Sequence, residues 1–197
     1  MVLKVKARQS KESVITGRVR TSYANLFTPK SVNGSAPKYS TVILIDKNDD
    51  ETLAVIEQAR QYVYEQEANG ALVGIPYDEV YSTLRDGDTD APAGNEAVYA
   101  GHYFMTVASS AQPGIVSHEK GADGKFKRLT NPNDLQSGDY ISANIGFYAY
   151  NYNGNVGISA GLNNVMKLEK GKRLGVKRTT AEDAFSSFDD DEEEDLF

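Results

Sequence analysis

The 197-residue sequence predicts a mainly β body with one prominent α-helix, followed by a disordered acidic C-terminal tail. Three observations carry that expectation. β-Branched residues recur in short alternating runs, most clearly over residues 139–168. Only residues 50–69 repeat their apolar side chains convincingly at helical spacing. The last residues lose apolar content and gain charge of one sign, so they cannot bury enough surface to offset the entropy of ordering. The expected division is a body over residues 1–178 and a tail over 179–197.

The elements follow in order. Residues 13–23, SVITGRVRTSY, read as one strand, with Ile15, Val19 and Tyr23 on one face and Arg18, Arg20 and Ser22 on the other. A loop with Pro29, Gly34 and Pro37 as breakers precedes a buried strand at 39–45. Asp49, Asp50 and Glu51 open the helix, where acids favour the first turn. Leu53, Ile56, Ala59 and Val63 form its apolar stripe, and Asn69-Gly70 stops it. After a turn-rich stretch, residues 97–108 resume a strand with Tyr99, Gly101, Tyr103 and Met105 on one face. Lys120, Lys125, Lys127 and Arg128, around Gly121 and Gly124, read as a basic loop or hairpin. In the next strand Ile141, Ala143, Ile145, Phe147 and Ala149 alternate with Tyr148, Tyr150 and Tyr152. Asn153-Gly154 is a strong two-residue hairpin signal, and the return strand starts at Val156.

Charge is segregated. The net charge is −7, yet Glu182 to Phe197 holds nine acids and no bases, which leaves the body near +2. Within the body, residues 1–45 carry +7, residues 46–119 carry −11 and residues 120–181 carry +6. The pattern predicts one positive and one negative face. The absence of cysteine excludes disulfides, thiolate zinc sites and a cysteine nucleophile. No run approaches the length of a signal peptide core or the roughly 20 apolar residues of a membrane span. The sequon Asn33-Gly34-Ser35 therefore reads as chance. Asp86, Asp88 and Asp90 have the spacing of a calcium loop, but Ala91 and Ala97 stand where that loop needs Gly and Glu. No phosphate-binding, dinucleotide, nucleophile-elbow or zincin motif is present, so no cofactor, metal or catalysis is expected.

Binding chemistry has better support. Three tyrosines on one polar strand face suit stacking on unpaired bases, each stack being worth about 1–3 kcal/mol whatever the base. Candidate nucleic-acid contacts are Arg18, Arg20, Tyr23, Lys38, Tyr99, Tyr103, Lys125, Lys127, Arg128, Tyr148, Tyr150 and Tyr152. In the tail, Asp189, Asp190, Asp191, Glu192, Glu193, Glu194 and Asp195 form an unbroken acidic run, and Leu196 and Phe197 close it with apolar groups. Such a segment can meet a basic surface through its acids and anchor a ring in a pocket. It can also mimic phosphates and compete for the protein's own groove.

Several segments, VITGRVRTSYANLFTP, APKYSTVILIDK, STLRDGD, AGHYFMTVAS with QPGIV, GFYAYNYNGNVGISAGLNNVMKL and RTTAEDAFSSF, resemble the phage single-stranded DNA-binding proteins. The resemblance covers nearly the whole chain. It implies an OB-fold-like β-barrel, binding to single-stranded DNA, and a tail that regulates access. The plan is also similar to the replication single-strand binding proteins of podophages. That likeness implies contacts with phage DNA polymerase and primase-helicase, with Phe197 at the position of a terminal aromatic. The expected setting is the host bacterial cytoplasm, with no membrane association, and the protein is a monomer or a dimer. The counted helix follows two strands, whereas an OB fold places it after three. Other readings are an acidic interaction or DNA-mimic protein for a basic partner, a nuclease using Asp86, Asp88 and Asp90 with magnesium, and a virion structural protein.

Overall fold

A computed structural model describes residues 5–32 and 34–174. The tail residues from 179 onward, Phe197 among them, lie outside the described residues, as does Asn33 of the sequon. In chain order the elements are β1 (Arg8–Ser10), β2 (Ser13–Ile15), β3 (Val19–Lys30), β4 (Lys38–Asp46), α1 (Asp50–Glu67), β5 (Tyr81–Ser82), β6 (Arg85–Asp86), the single turn α2 (Glu96–Tyr99), β7 (His102–Ser109), β8 (Gly114–Lys120), β9 (Phe126–Arg128), β10 (Tyr140–Tyr152) and β11 (Asn155–Glu169).

Five strands close a ring. β10 pairs with β3, β3 with β4 and β4 with β7, β7 meets β11 in parallel, and β11 pairs with β10. The ring is OB-like, a partly open five-stranded arrangement. Its helix α1 follows β4, the second strand of the ring but the fourth in the chain, where the sequence pattern counts two strands. The core lies inside, where Ile43, Ile45, Met105, Val107, Ile141, Ile145, Ile158 and Leu162 are buried, and α1 closes one end with Ile56, Ala59 and Val63. Asp49 caps that helix by accepting a hydrogen bond from Thr52 N at 3.0 Å.

Three local expectations are corrected. The run 13–23 is two strands, because the chain breaks at Thr16-Gly17-Arg18. Gly17 N donates to Thr52 Oγ1 at 3.0 Å, and a Cβ at 17 would stand 2.7 Å from that oxygen. The first turn of α1 therefore presses against the break. Thr16 Oγ1 accepts from Ala143 N and Ser142 Oγ donates to Thr16 O, so the broken segment stays pinned to β10. The break shifts the phase, so Val14 is buried and Ile15 is exposed. Downstream, Tyr23 has φ 49° at a bulge between β3 and β4. Ser22 consequently turns inward and the Tyr23 ring turns out. Finally, residues 96–99 are a helical turn, and the strand begins at His102.

Candidate nucleic-acid interface

The hairpin at the end of the β10–β11 ribbon builds the candidate surface. Asn153 and Gly154 have φ 50° and 81°, which form the tight two-residue turn their sequence predicts. The register then sets Tyr152 opposite Asn155, Tyr150 opposite Gly157 and Tyr148 opposite Ser159. Alternation sends Phe147 and Ile158 inward and these three tyrosines outward. Tyr148 is 51% exposed and Tyr152 72%, enough for each ring to offer a face to a ligand. Tyr150 is half-buried because its ring crosses Gly157; a Cβ there would stand 2.7 Å from its hydroxyl. Gly157 is thus the seat that lets the ring lie flat.

A fourth ring joins them. Tyr81 on β5 pairs in parallel with Gly157 and is 56% exposed. Burial, with a smaller contribution from the hydroxyls of Tyr81 and Tyr148, pushes the Tyr150 phenol above its ordinary value. Tyr81 escaped the sequence reading because it sits in a turn-rich stretch with no alternation to mark it. Only its pairing with a strand more than 70 residues onward, at Gly157, brings it here.

From this cluster the outer face runs through Gly146, Gly161, Ala108 and Ser40 across β10, β11, β7 and β4. Side chains along this belt are small, so the surface between the tyrosines and the β3–β4 loop is low. Lys38 stands exposed where β4 begins, opposite Lys30 of β3. Tyr23 is 51% exposed and its hydroxyl accepts from Asn95 Nδ2 at 3.1 Å. Lys125, Lys127 and Arg128 are exposed on the β8–β9 hairpin, with Lys127 loosely paired to Glu119 at 3.9 Å.

Four sequence-selected residues are not free to serve as predicted. Tyr99 is fully buried; its ring meets Phe104 edge-on at 4.9 Å, and its hydroxyl donates to Ser22 Oγ. It is a core residue, because the helical turn α2 turns it into a buried cluster with Leu44 and Phe104. Tyr103 is half-buried beneath Lys47, whose Nζ lies 5.0 Å from the ring centroid, away from the hairpin tyrosines. Arg18 is engaged by Glu169 at 2.8 Å and stacked 3.3 Å over the Tyr140 ring. Arg20 spends donors on the carbonyls of Gly138 and Lys172. Arg18 and Arg20 hold the far end of the ribbon.

The acidic triplet is also accounted for. Lys47 Nζ reaches Asp86 at 2.6 Å and Asp88 at 2.7 Å, and this bonding lowers both carboxyls below their ordinary value. Asp90 pairs with Arg85 instead. No cluster of three metal-ligating groups occurs among the described residues. No helix among them is long and apolar enough to cross a membrane.

A five-stranded OB-like ring with exposed tyrosines at its β10–β11 hairpin has the architecture of the OB-like modules, a class that includes binders of oligonucleotides and oligosaccharides. Comparison with known proteins narrows the class. Residues 12–197 match the family described as Enterobacter phage Enc34, ssDNA-binding protein, and the chain belongs to that family. It is a family of binding proteins, not of enzymes. The fold is similar to that of the single-stranded DNA-binding protein from bacteriophage Enc34 in complex with ssDNA: TM-score 0.65 and 24% identity, over 87% of this chain and 98% of that one. It is also similar to gp2.5, a single-stranded DNA-binding protein encoded by bacteriophage T7: TM-score 0.54 and 15% identity, over 85% of this chain and 98% of that one. In sequence the chain is 26% identical to protein p50 of Acyrthosiphon pisum secondary endosymbiont phage 1, over 90% of this chain and 95% of p50.

Proposed function

We infer that this protein binds single-stranded DNA without strong sequence preference, with the rings of Tyr81, Tyr148, Tyr150 and Tyr152 as its stacking platform. The observation that carries the reading is the outward row of tyrosines, with Tyr150 seated over Gly157, on a chain of this family. Every base offers a π-face, so such a platform accepts any sequence. Lys38 and Tyr23 flank the low outer belt, and Lys125, Lys127 and Arg128 supply positive charge from the β8–β9 hairpin. The protein coats exposed strands during phage replication, recombination or repair in the host bacterial cytoplasm, as a monomer or a dimer. Its acidic run, with Leu196 and Phe197, modulates DNA access and recruits replication proteins such as the phage polymerase and primase-helicase.

Replacing Tyr148, Tyr150 and Tyr152 together by Ala weakens binding of labelled single-stranded oligonucleotides at least tenfold and leaves the circular dichroism spectrum unchanged. Unchanged affinity sinks the platform. A chain ending at Thr180 binds as tightly as the full chain or more tightly; loss of binding instead makes the tail the working part. The slope of log affinity against log salt, about −0.7 per neutralised phosphate, counts the phosphate contacts.

A further inference from the structure

Beyond the tyrosine platform, the outer face of the β10–β11 ribbon continues through Gly146, Asn144 and Ser142 on β10 and Asn164 and Met166 on β11. Here two arms rise beside it. On one side β2 pairs with β10 and carries β1; on the other β8 pairs with β11 and carries β9. Between them lies a cleft of about 460 Å³, lined by Lys6, Arg8 and Ile15 from the first arm and Phe126 from the second. Ile15 is 39% exposed and Phe126 46%, so a large apolar side chain is left uncovered on each arm. On the floor, Asn164 Nδ2 donates to Asn144 Oδ1 at 3.3 Å, and Asn144 Nδ2 donates to Ser13 Oγ at 3.3 Å.

Charge separates this cleft from the platform. Residues 146–159, which hold the hairpin tyrosines, contain no charged side chain. Residues 5–12 of the first arm carry three bases and one acid, and residues 114–128 of the second carry four bases and two acids. Stacking supplies base contacts without sequence bias, but phosphates need cations to neutralise them. On this face the cations stand on the arms.

We propose that the cleft between the two arms is a second subsite for the same single strand, where Lys6 and Arg8 hold phosphates and Phe126 stacks a base. This inference rests on single-strand binding by the tyrosine face. A strand lying along the ribbon meets Tyr150, Tyr148, Gly146 and Asn144 in turn, since alternate residues of β10 share that face. At about 3.3 Å per residue, Tyr148 and Asn144, the nearest members of platform and cleft, are roughly 13 Å apart, so one strand of several nucleotides reaches both. The side-chain amides of Asn144 and Asn164 have both donors and acceptors for base edges. An acidic peptide, the other ligand a basic apolar cleft attracts, is separated from DNA by the test below.

The test uses the full chain and labelled oligothymidylates of about 6 and about 16 nucleotides, near the ends of the range of OB-fold site sizes. Phe126→Ala is expected to weaken the longer ligand about five- to tenfold and the shorter one by no more than about twofold. Lys6→Gln with Arg8→Gln is expected to flatten the salt slope for the longer ligand by about 1.4, two phosphates' worth. Full retention of affinity and slope for the longer ligand by both variants overturns the subsite, even while the triple tyrosine variant still loses both ligands. Failure of the unaltered chain to bind either ligand overturns the parent reading itself. A peptide of residues 184–197 that binds the unaltered chain but not Phe126→Ala, with DNA binding untouched, overturns the subsite in favour of a peptide site.

Discussion

The two ends of the β10–β11 ribbon carry the same residue types and do different work. At the hairpin end, Tyr148, Tyr150 and Tyr152 lie opposite Ser159, Gly157 and Asn155, side chains too small to cover a ring. At the other end Tyr140 lies opposite Glu169, and Arg18 joins the two by stacking on the ring and pairing with the carboxylate. Nearby, Asp139 is buried, lies 3.0 Å from Lys167 Nζ and accepts hydrogen bonds from the backbone of Gln136 and Gly171. Aromatic and cationic side chains thus make a binding ledge where nothing satisfies them locally, and a structural clasp where an acid is within reach.

That comparison can be broken at either end. The largest effect is expected at the closed end. Asp139→Ala leaves Lys167 only the Asp134 carbonyl and leaves two backbone donors without their acceptor, which costs about 3–5 kcal/mol of stability in denaturant unfolding. A loss below about 1 kcal/mol would mean the clasp is not structural. At the open end, Gly157→Val drives a side chain into the Tyr150 ring and displaces it. Single-strand affinity is expected to fall about fivefold or more, since one stack is worth about 1–3 kcal/mol, and unchanged affinity removes Tyr150 from the platform. Arg18→Ala sharpens the contrast. The partly exposed ion pair and the stack on Tyr140 together contribute about 1 kcal/mol to stability. Single-strand affinity should change less than about twofold, because this arginine is already engaged.

The smallest effect concerns the Lys47 bridge. Asp86 and Asp88 titrate below the ordinary 3.8 in the folded chain, chiefly through their hydrogen bonds with Lys47. Their stabilisation is therefore full above that value and is lost as pH falls through the lowered folded values. Lys47 is raised above its ordinary 10.5, so on the amine side the contact is lost only as pH rises through that raised value. Lys47→Met should flatten the dependence of the thermal midpoint between about pH 2 and 5, and an unaltered acid limb would assign that dependence elsewhere.

The helix was legible because its cap, first-turn acids and apolar stripe are all local. The hairpin was legible because Asn153-Gly154 meets the positive φ its turn demands. Two expectations failed for different causes. The run 13–23 reads as one strand until the first turn of α1 presses on Gly17, and Tyr99 reads as a strand residue until α2 turns it into the core. In the first case an element 35 residues onward overrode a sound local pattern; in the second a short helical turn of the same segment replaced the expected strand and turned Tyr99 against Leu44 and Phe104.

The sequence by itself determined which residues alternate, where the ribbon turns and that the tail carries one sign of charge. These follow from backbone geometry and composition, which act over a few residues. Tertiary structure alone decided which aromatics stay uncovered and which cations stay free. Tyr81 reaches Gly157 across more than 70 residues, and Arg18 finds Glu169 across 151. Exposure and charge compensation depend on what the fold brings alongside a side chain, and short-range alternation holds no information about a partner that far away.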